Sequence, residues 1–428
     1  MKTAKLFTTA FLLLSFAGFS FGQKLGSNQI TFKKEVFDQS LNNAVKPNVV
    51  GYQYVLIKDG KLVVENAGGL ARKAADNGGT ELKMTTTTPT LLGSLTKFLS
   101  GTAMLNLMEK ESDTMSSSFK NKSFESKLDT PIWGNFPSVW ADVIPAPSVP
   151  GPQQRDITYR KLLQHRSGFD DDWNKGQVRP FLQYMQSGFT PAQYDVWEYA
   201  NMNFLTVGYM LPLVNRHNTK DDLNQQTWNA STGKPTAGMS QNEADKLIRD
   251  RLGKDMDALM RERIWNKITP KITLSCDAEN TMKNTAAYTY DKKSDATGTI
   301  KSTLESNGHC VGQGAYYTSS RDFANYMAHF SATDQIVSKK VRDEMFDTFN
   351  PNDRLVWSFT TGDTWMKTNF NMPVVAWSNG IESGARTVLV RLPNEYYLVL
   401  FANSADMSVN QLYKAGVDAF KEGMKHNF

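Results

Sequence analysis

The segment "YQYVLIKDGKLVVENAGG", residues 52–69, alternates apolar and polar residues on both sides of Asp59-Gly60. That dipeptide adopts positive φ easily, so the pattern predicts a two-stranded hairpin closed by a tight turn. The stretch "KAADNGGTELKMTTTTPT" that follows has no apolar period and ends at Pro89-Thr90. Proline disfavours helix in the residue before it, so the next helix begins beyond residue 89. From Leu95 the apolar positions Leu95, Phe98, Leu99, Ala103, Met104, Leu107 and Met108 recur at three and four, the stripe of a buried helix. The polar run "EKESDTMSSSFKNKSFESK", residues 109–127, then reads as an exposed loop.

From there to about residue 310 helix-like pieces such as "TYRKLLQH", "NFLTVGYMLPLV" and "ADKLIRDRLGKDMDALMRERIW" alternate with Pro-, Gly- and Asn-rich loops, which predicts a mostly helical lobe. Residues 216–245 are too polar and too long for a compact connection and are expected on the surface. Strand character returns in "RTVLVRLPNEYYLVLFANS", two apolar runs around Pro393-Asn394-Glu395, and an amphipathic helix, "SVNQLYKAGVDAFKEGMKH", closes the pattern. Strands therefore frame the chain. A sheet built from both ends with helices inserted between them is a two-lobed α/β architecture with a cleft at the seam.

Composition narrows the function classes. The 428 residues suffice for one large domain or two lobes. A net charge of +5, from 48 basic and 43 acidic residues scattered along the chain, is too mild and too dispersed for a nucleic-acid footprint. The opening "MKTAKLFTTAFLLLSFAGFSFGQ" has two lysines, an apolar run, and small residues Ser20 and Gly22 where a signal peptidase cuts. It reads as a signal peptide over residues 1–22, cleaved before Gln23, with no stable membrane insertion afterwards and a periplasmic or secreted product. Cys276 and Cys310 are the two cysteines, and in an oxidising compartment both a bridge and a pair of buried thiols are open to them.

In "LLGSLTKFLSG" Ser94 precedes Lys97 by three residues where the apolar helix begins, so the two side chains share one face. Unpaired N–H groups there favour an anion such as a serine alkoxide. Ser-x-x-Lys alone is weak: Ser117 and Lys120 repeat it in a polar run, and Ser94 can equally cap the helix while Lys97 reaches water. For Lys97 to accept a proton near neutrality it must be buried or set among other cations. A second cluster is Tyr199 and Asn201 in "YANMNFLTVGYML": a tyrosine hydroxyl can relay a proton, and an asparagine amide can accept from a lysine and donate to a carbonyl. The third is "VVAWSNGIESGARTVLV", where a glycine beside an apolar strand lets backbone approach a ligand.

In this order the three stretches resemble the serine β-lactamase and penicillin-binding-protein superfamily, specifically its class C β-lactamase-like branch, with esterases, D-aminopeptidases and DD-carboxypeptidases. The resemblance spans nearly all of the mature chain. "GSLTKFLSGTAMLNLMEK" looks like the nucleophile helix, "LDTPIWGNFP" like the segment after it, "ITYRKLLQHRSGF" like the LLxHxSG turn, and "YANMNF" like the Y-x-N motif. "GQGAYYTSSRDFANYM" and "WSNGIESGARTVLVRLPNEYYLVLFANS" are similar to the later glycine-rich helix start and the third-motif strand with its partner. The fold implied is α/β (α+β): an antiparallel sheet flanked by N- and C-terminal helices plus a mostly helical lobe. Within residues 23–428, the sheet lobe takes about 28–105 and 310–428 and the helical lobe about 106–309.

Carried over by residue, the resemblance implies Ser94 as acylated nucleophile, Lys97 as its activator, Tyr199 as proton relay and Asn201 as lysine and substrate partner. Ser378, Asn379 and Gly380 would occupy the third motif, and the N–H groups of Ser94 and Ile381 the oxyanion hole. The third motif of such proteins usually opens with lysine or histidine. Ser378 has no charge with which to hold a substrate carboxylate, which favours esters or amides lacking one there, and Arg386 is a candidate to supply the charge. Ile381 brings a branched side chain where relatives carry a small one. His165 belongs to the packed LLxHxSG turn and not to the acid–base chemistry.

The expected activity is hydrolysis of a small-molecule ester, amide or D-amino-acid peptide, with no cofactor and no metal. A non-catalytic binding or sensor protein of the same fold is the alternative. Residues 23–428 contain no G-x-S-x-G elbow, the one match, Gly18–Gly22, falling in the expected signal peptide, and the sequence has no histidine pair at zinc-ligand spacing and no glycine-rich phosphate loop.

Overall fold

Strand β1 (Gly51–Lys58) sends Val55 and Ile57 into one hydrophobic core and Tyr52, Tyr54 and Leu56 into another. A strand apolar on both faces belongs in the middle of a sheet covered on both sides. The computed structural model describes residues 32–110, 115–116, 119–137, 154–169, 191–215, 228–229, 234–235, 238–268, 270–300, 312–314, 316–346 and 354–425. The expected signal peptide, Cys310 and most of 216–245 lie outside these residues; Cys276 is disulfide-bonded.

The first half of the chain gives helix α1 (Lys34–Val45), β1, β2 (Lys61–Arg72), β3 (Leu82–Lys83), β4 (Thr90–Leu91), α2 (Thr96–Lys110), α3 (Phe124–Leu128), α4 (Tyr159–Leu163) and α5 (Asn201–Val214). A small ribbon of β5 (Trp228–Asn229) and β6 (Lys234–Pro235) precedes α6 (Gln241–Arg263) and α7 (Ala278–Thr281). Then come β7 (Tyr317–Thr318), α8 (Ser320–Ala332), α9 (Lys339–Met345), β8 (Phe359–Gly362), α10 (Thr364–Phe370), β9 (Val374–Glu382), β10 (Ala385–Leu392), β11 (Tyr396–Ala402) and α11 (Val409–Lys425).

Both expected hairpins are present. Asp59 and Gly60 sit at φ 48° and 71° between β1 and β2, the left-handed pair that matches strand twist. Asn394 and Glu395, at φ 56° and 59°, turn β10 into β11. The sheet is antiparallel, in the order β3-β2-β1-β11-β10-β9-β8, so the strands from the two ends of the chain meet at β1 and β11, with Val55 opposite Val399. One face is covered by α1 and α11, where Phe37, Leu41, Leu412 and Phe420 are buried on Tyr54, Leu398 and Leu400. The other packs on the helical part, which includes Phe323 of α8 against Phe401.

Helix α2 is buried from Thr96 to Met108. A helix enclosed all round is a core element, so α2 runs through the interior. The expected N-terminal helix is α1, whose Phe37, Leu41 and Val45 make a single apolar stripe at four-residue spacing. One local expectation changes. Residues 109–127 are not simply an exposed loop: Met115 and Phe119 are fully buried, and Lys127, 3% exposed, donates to the Met108 carbonyl at 2.7 Å at the end of α2. Isolated apolar residues in a polar run carry no period, so only tertiary packing reveals them.

Candidate active site

Short strands position the turn that carries Ser94. Thr90 pairs with Thr318 and Leu91 with Tyr317, and the Leu92 N–H donates to the Tyr316 carbonyl at 2.8 Å. Beneath them the buried Gln53 of β1 donates to the Thr88 carbonyl at 2.7 Å and to Thr90 Oγ1 at 2.8 Å, and accepts the Ser320 N–H at 2.7 Å. Gly93 follows at φ 54°, and Ser94 lies in a 3-10 turn, Gly93–Leu95, that runs directly into α2. Ser94 thus sits just ahead of the α-helix.

Lys97 is 1% exposed. Its Nζ lies 2.8 Å from Ser94 Oγ, 2.8 Å from Asn201 Oδ1 and 2.9 Å from the Gln313 carbonyl. All three partners are uncharged. The two carbonyl oxygens only accept, whereas the serine hydroxyl can donate or accept. The Ser94 hydroxyl is therefore the one group of this shell with which Lys97 can exchange a proton. Asn201 reaches Lys97 because it opens α5. Gln313 reaches it because Gly208 and Gly312 let two backbones touch: a Cβ at Gly208 would lie 2.7 Å from the Gly312 nitrogen.

Tyr199 is half-buried, with Lys97 Nζ 5.2 Å from its ring centroid. One face of the ring stacks on His165 at 4.7 Å and another contact stacks it on Phe359 at 5.7 Å. His165 Nδ1 accepts the Ala200 N–H at 3.3 Å, which puts the ring proton on Nε2, and the His165 carbonyl accepts the Glu198 N–H at 2.8 Å. Burial first, then the neighbouring Lys97 and Arg354, holds the His165 imidazole well below its ordinary range. It stays neutral beside the lysine.

Strand β9 closes the other side. A Cβ built on Gly93 would lie 3.0 Å from the Ile381 nitrogen, so the backbone leading into Ser94 and that of Ile381 run against each other. Ser378 is 2% exposed and its Oγ accepts the Ser358 N–H at 3.2 Å. Asn379 is buried, and the Ile381 side chain is 51% exposed near the end of β9, on the rim. Arg386 does not reach Ser378: its Nη1 donates to the Ser383 and Ala385 carbonyls at 2.9 and 2.8 Å, folded over its own turn. Among the described residues no group of His, Cys, Asp or Glu is placed to hold a metal ion, and no helix is long and apolar enough to cross a membrane.

The Beta-lactamase family matches residues 37–230 by sequence. The class C beta-lactamase from Rhodobacter sphaeroides superposes with a TM-score of 0.57 at 13% identity, covering 90% of this chain and 98% of that one. Residues 37–230 thus carry a beta-lactamase-family sequence, and the chain has a beta-lactamase-like fold. FmtA from Staphylococcus aureus (TM-score 0.60, 15% identity, 91% and 90% coverage) is similar in fold, as is the D-amino acid amidase from Ochrobactrum anthropi SV3 (0.54, 18%, 90% and 98%). No curated protein matches the chain by sequence.

Several residues of this site escape a reading of motifs. Arg354, 7% exposed, donates to the Trp357 and Ser358 carbonyls at 3.0 and 3.2 Å and lies 5.2 Å from the Trp197 ring. Burial and the nearby Arg166 push its guanidinium down to about 10. Between them Val356 adopts φ 69°, and the Trp357 N–H bonds back to the Leu355 carbonyl at 2.8 Å. A β-branched residue is strained there, and the tight turn swings Ser358 and Phe359 towards Tyr199. The run "RLVWSF" gives no sign of this. Trp197 was more legible, lying two residues before Tyr199 in a polar stretch where an aromatic has no core to fill.

Proposed function

We propose that the chain is an exported serine hydrolase that cleaves an ester or amide bond through an acyl-enzyme on Ser94. The observation that carries this reading is Lys97, buried and within hydrogen-bond distance of Ser94 Oγ, Asn201 Oδ1 and the Gln313 carbonyl. In the reaction the Ser94 hydroxyl passes its proton to Lys97 as Oγ bonds to the substrate carbonyl carbon. The resulting oxyanion takes hydrogen bonds from the N–H groups of Ser94 and Ile381, each such donor contributing roughly 3–4 kcal/mol in acyl transfer. The carbon–leaving-group bond then breaks, and the departing oxygen or nitrogen takes the proton through Tyr199. Water, deprotonated by the same pair, releases the acid and restores Ser94.

Asn201 holds Lys97 in place, while Ser378 and Gly380 lie on the substrate side of β9; Asn379 pairs with Val388 and turns its side chain to the other face. The apolar segment ahead of Gln23 supports export to the periplasm or beyond. Turnover of an aryl ester, an adduct on Ser94 by intact mass after a fluorophosphonate, and loss of both in Ser94→Ala are the expected results. Active protein with unmodified Ser94 would overturn the mechanism. Folded protein that neither turns over esters, nitrocefin and D-alanyl peptides nor forms the adduct would leave a binding protein of the same fold.

A further inference from the structure

We propose that the leaving-group side of the Ser94 site is an aromatic shelf selecting substrates whose departing alcohol or amine carries an uncharged aryl group. This deepens, and rests on, the hydrolase reading above. The shelf starts at Tyr199, the group that hands the proton to the leaving atom. Phe359 stacks on the Tyr199 ring at 5.7 Å with an interplanar angle of 17°, and Trp197 continues the surface at 6.1 Å and 69° from Phe359. Trp377 backs Phe359 at 4.9 Å. Trp197 is 36% exposed, so the wall runs from the buried lysine out to solvent. A surface continuous with the proton-delivering tyrosine meets the part of the substrate that leaves.

The polar groups beside this wall point elsewhere. The Ser378 hydroxyl accepts the Ser358 N–H, and the Arg354 guanidinium donates to the Trp357 and Ser358 carbonyls behind Trp197. An aryl ring fits offset or edge-on against two such rings, whereas a carboxylate pressed on them loses water while the nearest guanidinium, Arg354, is 7% exposed and already bonded to the Trp357 and Ser358 carbonyls. In the balanced step the ester carbon–oxygen bond breaks, the phenoxide oxygen takes the proton that Lys97 received from Ser94, and the acetyl group stays on Ser94.

The test compares phenyl acetate, 3-carboxyphenyl acetate and methyl acetate with wild type, Phe359→Ala and Trp197→Ala, each variant checked by thermal melt. Each substitution should lower kcat/KM roughly tenfold more for phenyl acetate than for methyl acetate. Phenyl acetate should exceed its carboxylated analogue in wild type. Calorimetric binding of the two aryl esters to Ser94→Ala reads the shelf without turnover, and should favour the uncharged ester in a Phe359-dependent way. Equal or reversed binding, or an equal loss on all three esters, overturns the shelf. Selective binding without Ser94-dependent turnover keeps the shelf and sinks the hydrolase reading alone.

Discussion

Gly380 of β9 lies so close to Leu92 that any Cβ there would overlap the Leu92 carbonyl oxygen, which Thr387 Oγ1 also engages at 2.8 Å. The turn that carries Ser94 is thus docked on β9 and β10 by backbone contact. Gly380→Ala must push the strand and the turn apart, moving the Ile381 N–H away from the carbonyl it would polarise. With one oxyanion donor lost, kcat/KM for an aryl ester should fall by about 10²-fold or more, with KM changing less than kcat. A variant that melts near wild type and keeps its activity would show that Ile381 plays no part.

Asn201 is the side-chain acceptor that fixes Lys97 against Ser94. Asn201→Ala leaves one amine hydrogen of a buried lysine without its partner, a penalty of about 1–3 kcal/mol, so activity should drop roughly 10- to 100-fold. Lys97→Met removes the proton acceptor outright and should cost about 10²–10⁴-fold. Single-turnover acylation by an aryl ester, followed by release of the phenol, measures both. Acylation that survives Lys97→Met unchanged would assign the base elsewhere.

How much of this was legible in the sequence follows from which residues carry a period or a turn signal. Asp59-Gly60, Pro393-Asn394-Glu395 and the stripe of α11 announced themselves because turn chemistry and amphipathicity are local. Ser94, Lys97, Tyr199 and Asn201 are far apart in the chain and gained meaning only together. Strand β8 did not show: its four residues, Phe359–Gly362, form an edge with no clean alternation. Nor did the contacts of Ser378 and Arg386, because a hydroxyl satisfied by the Ser358 N–H and a guanidinium folded on its own turn depend on neighbours fixed by the fold.

The carboxyl of Glu344 in α9 neighbours that of Glu125 in α3, and Arg160 donates to Glu125 Oε2 at 2.5 Å. Burial, reinforced by the Glu125 carboxylate, pushes Glu344 up to about 7, while Glu344 and Arg160 hold Glu125 below its ordinary value. A group raised in the folded state contributes stability that is complete below its unfolded value and is lost as pH rises through the folded one. Between about pH 5 and 8 the melting temperature of the wild type should therefore fall relative to Glu344→Gln, which keeps a donor to Glu125 but does not titrate. Parallel profiles for the two proteins would remove the shared proton.

His165 gives a pH dependence of opposite sign. The residue is 2% exposed, its ring stacked on Tyr199 and tilted against Phe204, with Nδ1 taking the Ala200 N–H. Burial first, then the nearby Lys97 and Arg354, oppose a charge on the ring, so the folded ring stays neutral where the unfolded one binds a proton near its ordinary value of about 6.5. The unfolded chain then carries the extra proton, and stability should fall as pH drops below about 6.5. His165→Asn should flatten that acid limb while lowering kcat, since Tyr199 loses its stacking partner. In an aryl-ester assay the variant's KM should change less than its kcat, because His165 positions the proton relay and touches no substrate. An acid limb identical in both proteins would mean that His165 titrates alike folded and unfolded, and that its neutrality does nothing for the site.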